Sequence, residues 1–435
     1  MSCDRRKSVF VSGLLNGPKL RRCVVAGSLA AALCSFTLSS GRMKIYIIGD
    51  STVCNYNASE YPMMGWGQVF ASFFKSQSVE INNRAIGGRS SRKFYTEGRW
   101  EGIVAQLSEG DYVFIQFGHN DRDFSKADRY TDTADFKKYL RLYVEETRAK
   151  GAIPVLVSPM NMNAWNGDAL REVFCEGAND YRGAMVEVAT GLGVPFIDLE
   201  KRSAAFMRSV GKEYCTRFHF LGLEPGEYPN YPEGKADGTH FQEMGALANA
   251  RMVAEGLAEL SDDTSMKPLC DLLAPCVDVS VASNKQSGGI FTKTAAFPPG
   301  VTVTLKVIPS SGERFEGWVD QNGVMASSDR MYMFTLSDGP CSFTAQFEGG
   351  TTSLRQVGGR AYMPTVKYSP GLNASASSGP LIRKVTFFDV SGKRLARCAP
   401  QSLRTKVTQG AVSAGFRIVS VETCEGVTHH PVVLP

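Results

Sequence analysis

Residues 43–260 alternate short apolar runs with longer amphipathic stretches. The apolar runs are nearly continuous in Val, Ile and Phe, which is typical of strands covered on both faces. The strand candidates are residues 44–48, 79–83, 112–117, 153–157 and 194–197, and the clearest helix candidates are 135–150, 178–190 and 241–260. This alternation predicts an α/β fold, a three-layer α/β/α sandwich around a parallel five-stranded sheet, with its ligand crevice at the carboxyl ends of the strands.

The pattern changes after residue 260, and we therefore divide the chain into several domains. The first domain is expected to span residues 43–262. Short alternating runs separated by Gly, Pro, Asn and Ser then predict two small all-β modules, at residues 277–349 and 381–435. The stretches between the domains, 263–276 and 350–380, are expected to be linkers, and the second is rich in Gly, Ser, Thr and Pro.

The first 42 residues contain the three parts of a secretory signal. Basic residues precede an apolar run at residues 23–38, and small residues follow it at 39–41. The run of about 16 residues is short for a helix that spans a bilayer. We therefore expect residues 1–42 to be a leader that is cleaved between Ala32 and Met43, and the protein to be secreted or held at the cell surface. An uncleaved membrane anchor and an over-long N-terminus are the alternatives.

Composition and charge exclude several classes of function. Hydrophobic residues make up 43% of the chain and charged residues 21%, which is typical of globular domains and not of disordered chains. The formal net charge of +5 comes from basic residues concentrated at the two ends, so the middle of the chain is acidic. Nucleic acid is therefore not an expected partner. No segment beyond the leader has the length of a membrane span. For the oligomeric state, we favour a monomer.

The cysteines and other ligand-forming residues do not suggest a metal site. The eleven cysteines include no C-x-x-C pair, and no group of His, Cys, Asp and Glu has the spacing of metal ligands. We therefore expect a chemistry that needs neither metal nor cofactor. Disulfides fit an exported chain, but their pairing is left open.

Polar residues stand at the carboxyl ends of three successive predicted strands. Ser51 follows the first strand, Gly88 lies in a Gly-Gly loop after the second, and Asn120 follows the third. Asp237 and His240 precede the last helix, at a spacing that lets a carboxylate bind an imidazole and fix its tautomer. Taken singly, Ser51 also fits a helix cap and Asn120 a turn. Together, the five residues indicate one shared site at the edge of the sheet.

The same blocks resemble those of the SGNH (GDSL-type) hydrolases over about residues 43–260, and most closely those of the rhamnogalacturonan acetylesterases, the twelfth carbohydrate esterase family. The matching stretches are Gly49-Asp-Ser-Thr52, Gly65-Trp-Gly67, Ala85-Ile-Gly-Gly-Arg-Ser-Ser91, Glu97-Gly-Arg-Trp100, Phe117-Gly-His-Asn-Asp121 and Asp237-Gly-Thr-His-Phe241. Thr52 stands where the generic superfamily motif has Leu, a departure common in this subfamily. The resemblance implies a flavodoxin-like SGNH hydrolase fold.

The resemblance also implies a role for each residue of the site. Ser51 is expected to be the nucleophile, His240 its general base, and Asp237 the carboxylate that orients His240. The backbone N–H groups of Ser51 and Gly88, with the side-chain amide of Asn120, are expected to form the oxyanion hole. The Gly-x-Ser-x-Gly elbow of the α/β-hydrolases occurs nowhere in the chain.

Several further residues are candidates for contacts with a sugar, by charge pairing or by stacking. The four that we single out are Arg89, Tyr95, Trp100 and Trp165. A structural ion network through Glu97 and Arg99 is an equal alternative for this part of the chain. The aromatic loop at residues 228–232 is another stacking candidate.

The two C-terminal modules carry weaker resemblances. Residues 277–347 resemble a bacterial β-rich repeat related to the internalin B-repeat, mainly through residues 301–307, 315–318 and 341–347. In this module Trp318 is expected to be a core aromatic rather than a ligand platform. Residues 383–434 are similar to the C-terminal sorting domains of the type nine secretion route, although the basic charge of this tail also fits binding to an acidic polysaccharide or a cell surface.

The sequence as a whole predicts an exported carboxylic ester hydrolase that removes O-acetyl groups from a plant cell-wall polysaccharide. Rhamnogalacturonan of pectin is the leading substrate, with an acyl-enzyme formed on Ser51. Acetylated xylan or another esterified glycan is the alternative substrate. A non-catalytic carbohydrate-binding or surface-adhesion protein is the alternative from another class, and the intact set of five site residues argues against it.

Overall fold

The computed structural model describes residues 42–350 in full and, further along, only the backbone of four strands between residues 382 and 434. The expected leader before residue 42 and the expected linker after residue 350 therefore lie outside the described residues. Among the described helices, none combines the length and the apolar character of a membrane span. The chain divides into two compact units, Met1–Gln356 and Val357–Pro435.

The first domain contains alternating strands and helices. Its strands are β1 Met43–Gly49, β2 Val79–Asn83, β3 Tyr112–Gln116, β4 Ile153–Val157, β5 Trp165–Asn166, β6 Ala169–Leu170, β7 Phe196–Ile197, β8 Phe220–Leu223 and β9 Lys235–Phe241. Its α-helices are α1 Trp66–Val69, α2 Ser91–Thr96, α3 Arg99–Val104, α4 Thr133–Ala149, α5 Tyr181–Leu192, α6 Leu199–Val210, α7 Lys212–Tyr214, α8 Glu243–Ala258 and α9 Lys267–Cys270. Short 3-10 segments cover Ala58–Glu60, Phe70–Phe73 and Gly177–Asn179, and a π-helical turn covers Cys215–His219.

Five parallel strands form the central sheet, in the order β2-β1-β3-β4-β7. The register pairs Ile45 of β1 with Ile81 of β2 and with Tyr112 of β3. Each predicted strand is present, although β7 is limited to two residues. The α/β class and the parallel five-stranded sheet are confirmed.

Successive residues of β1 point to opposite faces of the sheet, and both faces are covered. Ile45 and Ile47 belong to the core that includes helix α8, whereas Tyr46 and Ile48 belong to the core that includes helices α4 and α5. All four side chains are buried. This explains why residues 45–48 of the strand are apolar or aromatic at every position, since an alternating pattern would place polar groups against a helix.

The strand order leaves a crevice at one edge of the sheet. The chain first adds β2 on one side of β1 and then β3 on the other side. Open α/β sheets bind their ligands where the order reverses in this way, outside the carboxyl ends of the strands. The crevice expected beside Ser51 therefore lies at the carboxyl ends of β1 and β3.

Strands β8 and β9 form an antiparallel pair outside the central sheet. Strand β9 contains Asp237 and His240, and helix α8 follows it after one residue, Gln242. The sequence does not predict this strand, because residues 235–241 are polar at most positions and carry few of the residues that favour strands.

The stretch expected to be the first linker is packed against the first domain. It contains helix α9, and the side chains of Met266 and Leu269 are buried. The backbone N–H of Lys75 donates to the carbonyl oxygen of Leu272 (2.8 Å), and the backbone N–H of Ala274 donates to the carbonyl oxygen of Phe73 (2.9 Å). The following β module is therefore joined to the first domain by a folded segment.

The β module follows this segment within the same compact unit. Its strands are β10 Val277–Ser283, β11 Gly289–Phe291, β12 Ala295–Phe297, β13 Thr302–Pro309, β14 Phe315–Asp320, β15 Met325–Ser327, β16 Met331–Thr335 and β17 Cys341–Phe347, and a 3-10 segment covers Gln286–Gly288. They form a five-stranded sheet, β12-β10-β17-β14-β15, and a three-stranded sheet, β11-β13-β16. Trp318 is fully buried, which confirms its prediction as a core residue.

The second compact unit is described only by the backbone of its strands. These are β18 Ile382–Phe388, β19 Arg394–Cys398, β20 Gly415–Thr423 and β21 Val427–Leu434. They form an antiparallel sheet in the order β19-β18-β20-β21, which agrees with the predicted all-β character. The sorting or surface-binding role of this module stays a prediction, because the side chains that would carry it lie outside the described residues.

Candidate active site

Ser51, His240 and Asp237 are brought together at the carboxyl edge of the sheet. The Nε2 atom of His240 is 2.9 Å from the Oγ atom of Ser51, and its Nδ1 atom is 2.7 Å from Oδ2 of Asp237. Ser51 follows strand β1, whereas the other two residues belong to strand β9. At these distances the imidazole can accept the Ser51 proton while Asp237 binds its other nitrogen.

The residues around Ser51 fix its backbone in a turn. Strand β1 ends at Gly49, where a Cβ atom would come within 2.7 Å of a carbonyl oxygen of strand β3, so a side chain does not fit. The Oδ1 atom of Asp50 accepts hydrogen bonds from the N–H and the hydroxyl of Thr52 (2.9 and 2.7 Å). The hydroxyl of Tyr56 donates to the carbonyl oxygen of Ser51 (2.7 Å). These contacts hold the serine at the crevice independently of any ligand.

Asp237 is held as a carboxylate beside His240. Its Oδ1 atom accepts hydrogen bonds from the N–H groups of Thr239 and His240 (2.8 and 3.1 Å). Burial opposes the negative charge, but the hydrogen bond and positive charge of His240, with these N–H groups, lower the pKa of Asp237 to about 2. The carboxylate is therefore ionised at neutral pH, and it can stabilise an imidazolium ion at His240.

Gly88 and Asn120 line the same cavity as Ser51. Gly88 has a φ angle of +76°, a conformation that residues with a Cβ atom rarely adopt. A Cβ atom on the neighbouring Gly87 would lie 3.6 Å from that of Ser51, so this glycine loop is directly beside the serine. The Asn120 amide donates to the carbonyl oxygen of Arg89 (3.0 Å), which leaves its second N–H without a partner among the described residues. These donors are suited to bind an oxyanion.

Three residues that the sequence analysis missed also line the cavity, which has a volume of about 540 Å³. Arg122, Phe124 and Arg129 belong to the loop that follows Asn120. Phe124 is 81% exposed, so its ring is open to solvent at the cavity. The only signal in the sequence was two arginines and a phenylalanine shortly after the Asn120 block, and no periodicity indicates where loop side chains point.

Arg122 has no acidic partner within ion-pair distance among the described residues. Its Nη1 atom contacts Sδ of Met162 at 3.5 Å, and its guanidinium lies over the ring of Phe174, 5.7 Å from the centroid. Arg129, in contrast, forms an ion pair with Asp123 (2.6 Å). A guanidinium without a carboxylate partner at a cavity can bind an anionic group of a ligand.

Buried ionisable groups lie on either side of Asn120. The Nδ1 atom of His119 is 3.5 Å from Oδ2 of Asp50, and both side chains are buried. Burial opposes the charge of Asp50, but His119 and a neighbouring threonine lower its pKa. Asp121 accepts hydrogen bonds from the N–H and the hydroxyl of Ser91 (2.9 and 2.5 Å), and burial raises its pKa to about 7. These contacts fix the backbone of the loop that presents Asn120.

Trp100 and Tyr95, expected to contact a sugar, do not line the cavity. Trp100 is 1% exposed, and its indole N–H donates to the carboxylate of Glu146 (2.9 Å). The hydroxyl of Tyr95 donates to the same carboxylate (2.6 Å). Trp100 is therefore a core residue whose face is not available for stacking, contrary to the expectation.

Arg89 and Trp165, the other two candidates, are also bound within the protein. The side chain of Arg89 forms an ion pair with Glu97 (3.1 Å), and Arg99 binds the same carboxylate. This is the ion network that the sequence left as an alternative. The indole N–H of Trp165 donates to Oδ1 of Asn163 (2.7 Å) beside the small β5–β6 hairpin. Neither side chain lines the cavity at the serine.

One group of possible metal ligands occurs in the described part of the chain. The ligand atoms of Glu172, Cys175 and Glu200 lie within 4.8 Å of one another. None of them lines the cavity at Ser51, and Glu172 already forms an ion pair with Arg208. A cation at this group would therefore compete with an arginine. The six cysteines whose side chains are described are all free thiols.

A parallel α/β/α sandwich with a serine, an imidazole and a carboxylate aligned at its carboxyl edge defines a serine hydrolase. The model of the GDSL-like lipase/acylhydrolase family matches residues 47–245, and that of the divergent InlB B-repeat domain matches residues 279–351. The chain belongs to the GDSL-like lipase/acylhydrolase family and is a carboxylic ester hydrolase.

Similar proteins come from bacteria and from a fungus. The chain is 38% identical over 218 residues to the rhamnogalacturonan acetylesterase RhgT of Bacillus subtilis, a match that covers 50% of this chain and 90% of the relative. It is 32% identical to a rhamnogalacturonan acetylesterase of Emericella nidulans, covering 44% of this chain and 81% of that one. The solved structure of YxiM from Bacillus subtilis has a TM-score of 0.42 and 28% identity, over 51% of this chain and 58% of that chain. The resemblance to the rhamnogalacturonan acetylesterases is confirmed over about half of the chain.

Proposed function

We propose that the chain is a carbohydrate acetylesterase that works through an acyl-enzyme on Ser51. The observation that carries the proposal is the continuous line of hydrogen-bonding groups from Ser51 through His240 to Asp237, with separations of 2.9 and 2.7 Å. The relatives at 38% and 32% identity are named rhamnogalacturonan acetylesterases, which supports an acetyl ester of a carbohydrate as the substrate.

In the first half of the reaction, the Oγ atom of Ser51 attacks the acetyl carbonyl carbon while Nε2 of His240 takes the hydroxyl proton. The negative charge that develops on the carbonyl oxygen is held by the N–H groups of Ser51 and Gly88 and by the amide of Asn120. The bond between the carbonyl carbon and the sugar oxygen then breaks. His240 gives its proton to the departing sugar hydroxyl, and the acetyl group remains on Ser51.

In the second half of the reaction, a water molecule takes the place of the sugar. His240 removes a proton from the water, whose oxygen attacks the acetyl carbonyl on Ser51. When the bond to Ser51 Oγ breaks, acetic acid leaves as acetate after losing its proton to solvent, and His240 returns its proton to Ser51. Asp237 stabilises the imidazolium ion in both halves, which its low pKa permits.

We further propose acetylated rhamnogalacturonan as the substrate, because the cavity is lined by a guanidinium group that has no carboxylate partner among the described residues. Among the described residues, Arg122 has no carboxylate within ion-pair distance, and it lines the cavity beside Phe124. Galacturonate units carry a carboxylate that a guanidinium can bind in bidentate geometry, whereas the xylose backbone of xylan is neutral. The exposed ring of Phe124 offers a face on which a sugar can stack.

Acetate release from a panel of acetylated polymers tests this proposal. The wild-type chain is expected to release acetate faster from acetylated rhamnogalacturonan than from acetylated xylan, and Ser51→Ala to release none above background. Arg122→Gln is expected to raise KM for rhamnogalacturonan about tenfold, because the charged, bidentate contact with the carboxylate is lost. Its turnover of 4-nitrophenyl acetate, which carries no anionic group, is expected to stay within about twofold of wild type on the same grounds.

A matched control shows whether the change in KM requires the loss of the guanidinium at the cavity or follows from the loss of any positive charge. Arg314→Gln removes a guanidinium that pairs with Glu348 in the β module, and we expect it to leave both substrates unaffected. Equal rates on the two polymers, or an unchanged KM in Arg122→Gln, would contradict the acidic substrate. Wild-type acetate release by Ser51→Ala would instead contradict the acyl-enzyme.

We also propose that residues 1–42 direct export and that the C-terminal unit sorts the protein or attaches it to a surface. The support is the order of basic, apolar and small residues at the N-terminus. N-terminal sequencing of the exported protein is expected to show cleavage between Ala32 and Met43. A mature protein that begins at Met1 would contradict the proposal.

A further inference from the structure

The β module contacts the segment of the first domain that follows His240. Strand β13 lies against the first turn of helix α8, where the backbone N–H of Thr304 approaches Sδ of Met244 at 3.3 Å. Lys306 lies two positions further along the strand, so its side chain leaves the same face. No described residue of the module lines the cavity at Ser51, so an effect of the module on that site has to pass through its contacts with the first domain.

Lys306 is buried between the two domains, with 6% of its surface exposed. Its Nζ atom donates hydrogen bonds to the carbonyl oxygen of Arg217 (2.8 Å) and to Oε1 of Gln242 (3.3 Å), and it forms an ion pair with Glu227. Nζ also lies over two aromatic rings, 5.4 Å from the centroid of Phe218 and 5.9 Å from that of Tyr228. The three acceptors match the three N–H donors of the ammonium group.

The surroundings of Lys306 bury a charged ammonium group and supply the acceptors that it needs. Burial lowers the pKa of Lys306, and Glu227 opposes that shift. Glu243 is also buried beside this contact, and burial raises its pKa. Tyr228, a stacking candidate in the sequence, is buried here and does not line the cavity at Ser51. Because a buried ammonium group is costly unless its donors are bonded, the contact holds only when the acceptors are in place.

Gln242 connects Lys306 to the strand that carries His240. It is the N-cap residue of helix α8, two positions after His240. Its Nε2 atom donates to the carbonyl oxygens of Arg217 and Phe220 (2.9 and 2.5 Å), and its backbone N–H donates to the last carbonyl of the π-helical turn (3.0 Å). Both side-chain donors are used inside the first domain, and the side-chain oxygen is the atom that faces Lys306.

The rest of strand β9 is held by contacts within the first domain. The carbonyl oxygen of Gly238 accepts from the N–H of Asn163 (2.8 Å), and that of Phe241 accepts from the N–H of Met64 (3.1 Å). Among the described hydrogen bonds to this junction, the module supplies the one from Lys306 to Gln242 and the one from the Thr304 N–H to Met244. The junction between β9 and α8 is therefore the module contact that lies nearest to His240 in the chain.

We propose that Lys306 is a positioning residue for ester hydrolysis at Ser51. By binding Gln242 and the carbonyl oxygen of Arg217, it fixes the junction of β9 and α8 and thereby the placement of His240 against Ser51. The β module is then a part of the catalytic unit and not an independent appendage. The inference rests on the proposed role of His240 as the general base.

The test compares Lys306→Met in the full-length chain with wild type, using 4-nitrophenyl acetate so that the result does not depend on the polymer. Active sites are counted by labelling Ser51 to completion with a fluorophosphonate, which removes unfolded protein from the comparison. We expect kcat per labelled site to fall about tenfold with KM within about twofold, because a small displacement of the base affects the chemical step. Lys285→Met, which removes an ion pair with Glu313 inside the module, is the matched control and is expected to match wild type.

The double variant Lys306→Met with Glu227→Gln separates positioning from stability. The double variant removes both charges, so no unpaired carboxylate stays buried, and the melting temperature is expected to rise again from the lowered value of Lys306→Met. It also keeps the test informative if Lys306→Met does not fold. We expect kcat to stay low, because Gln242 still lacks its donor. A kcat within about twofold of wild type in either variant overturns the positioning role. That result leaves the proposed function intact, which fails only if Ser51→Ala retains turnover.

Discussion

Ionisable side chains lie on both sides of the β9–α8 junction, and the two regions hold charge in different ways. At the cavity, the side chains of His240 and Asp237 are 27% and 19% exposed, and each nitrogen of His240 has a single partner. At the contact with the module, the side chain of Lys306 is 8% exposed and its ammonium group meets three acceptors. The first region is open and sparsely bonded, and the second is closed and fully bonded.

The difference follows from what each region does with a proton. In the proposed mechanism His240 gains and loses a proton twice in each turnover, which requires a carboxylate for the charged form and access for water. Lys306 keeps one arrangement, and its acceptors make any other arrangement costly. Exposure and the number of fixed partners therefore separate the reacting groups from the structural ones, although both regions contain a nitrogen base paired with a carboxylate.

The strongest disruption of the open region is expected from Asp237→Asn. An amide can donate to Nδ1 of His240, which would place the imidazole proton on Nε2 and leave Ser51 without a base. We expect kcat for 4-nitrophenyl acetate to fall by about 10³- to 10⁴-fold with a small change in KM. Steady-state kinetics measure this directly.

The control for that variant is Asp278→Asn, which changes an exposed carboxylate on strand β10 of the module. We expect it to retain wild-type kinetics. A fall of less than tenfold in Asp237→Asn would mean that His240 keeps its tautomer without the carboxylate, and the contrast between the two regions would lose its basis.

A smaller loss is expected from Asn120→Ala, which removes one proposed donor of the oxyanion hole. The remaining N–H groups of Ser51 and Gly88 still bind the oxyanion, so kcat is expected to fall by about 10²- to 10³-fold. Because the amide does not titrate, the pH dependence of kcat is expected to keep its shape.

Asn230→Ala is the matched control, since its amide donates to the carbonyl oxygens of Ala58 and Tyr61. It is expected to leave kcat unchanged. If Asn120→Ala shifts the pH profile or lowers kcat less than threefold, Asn120 does not bind the charge that develops in the reaction.

Most of the fold could be predicted from the sequence because strands buried on both faces are apolar over most of their length. The inner strands of the central sheet follow from this rule, as the opposite directions of Tyr46 and Ile47 illustrate, whereas the edge strand β2 is polar at three of its five positions. Strand β9 could not be predicted, because polar residues fill it and it is held by partners distant in the chain. Its carbonyl groups bind Asn163 and Met64, contacts that exist only once the domain has folded.

The site could be predicted where short blocks carry the chemistry, as for Ser51 and His240. The roles of Arg122 and Lys306 could not. In the run 301–307, Val303 and Leu305 alternate with polar residues, so the pattern assigns Lys306 to solvent. The structure buries Thr304 and Lys306 of that polar face against the first domain, because the two domains share an interface that no periodicity within the module indicates.

The smallest effect is expected at a second histidine, His219, which belongs to the closed region and contrasts with His240. Its ring is buried among aromatic side chains, and its Nε2 atom accepts a hydrogen bond from Asn249 (3.0 Å). Burial lowers the pKa of His219 to about 3, from an ordinary value of 6.5. Between these values the unfolded chain binds a proton that the folded chain does not, so this group lowers the stability as the pH falls below 6.5, by about 1.4 kcal/mol per pH unit.

His219→Gln keeps an acceptor for Asn249 and removes the titration. Between pH 6.5 and pH 4.5, the free energy of unfolding measured in urea is therefore expected to decrease by about 2–3 kcal/mol more in wild type than in the variant. Lys285→Met, which alters no histidine, gives the reference slope. Parallel pH curves for wild type and His219→Gln would show that a buried histidine of the closed region takes up protons as readily as an exposed one, and the contrast with His240 would then not rest on burial.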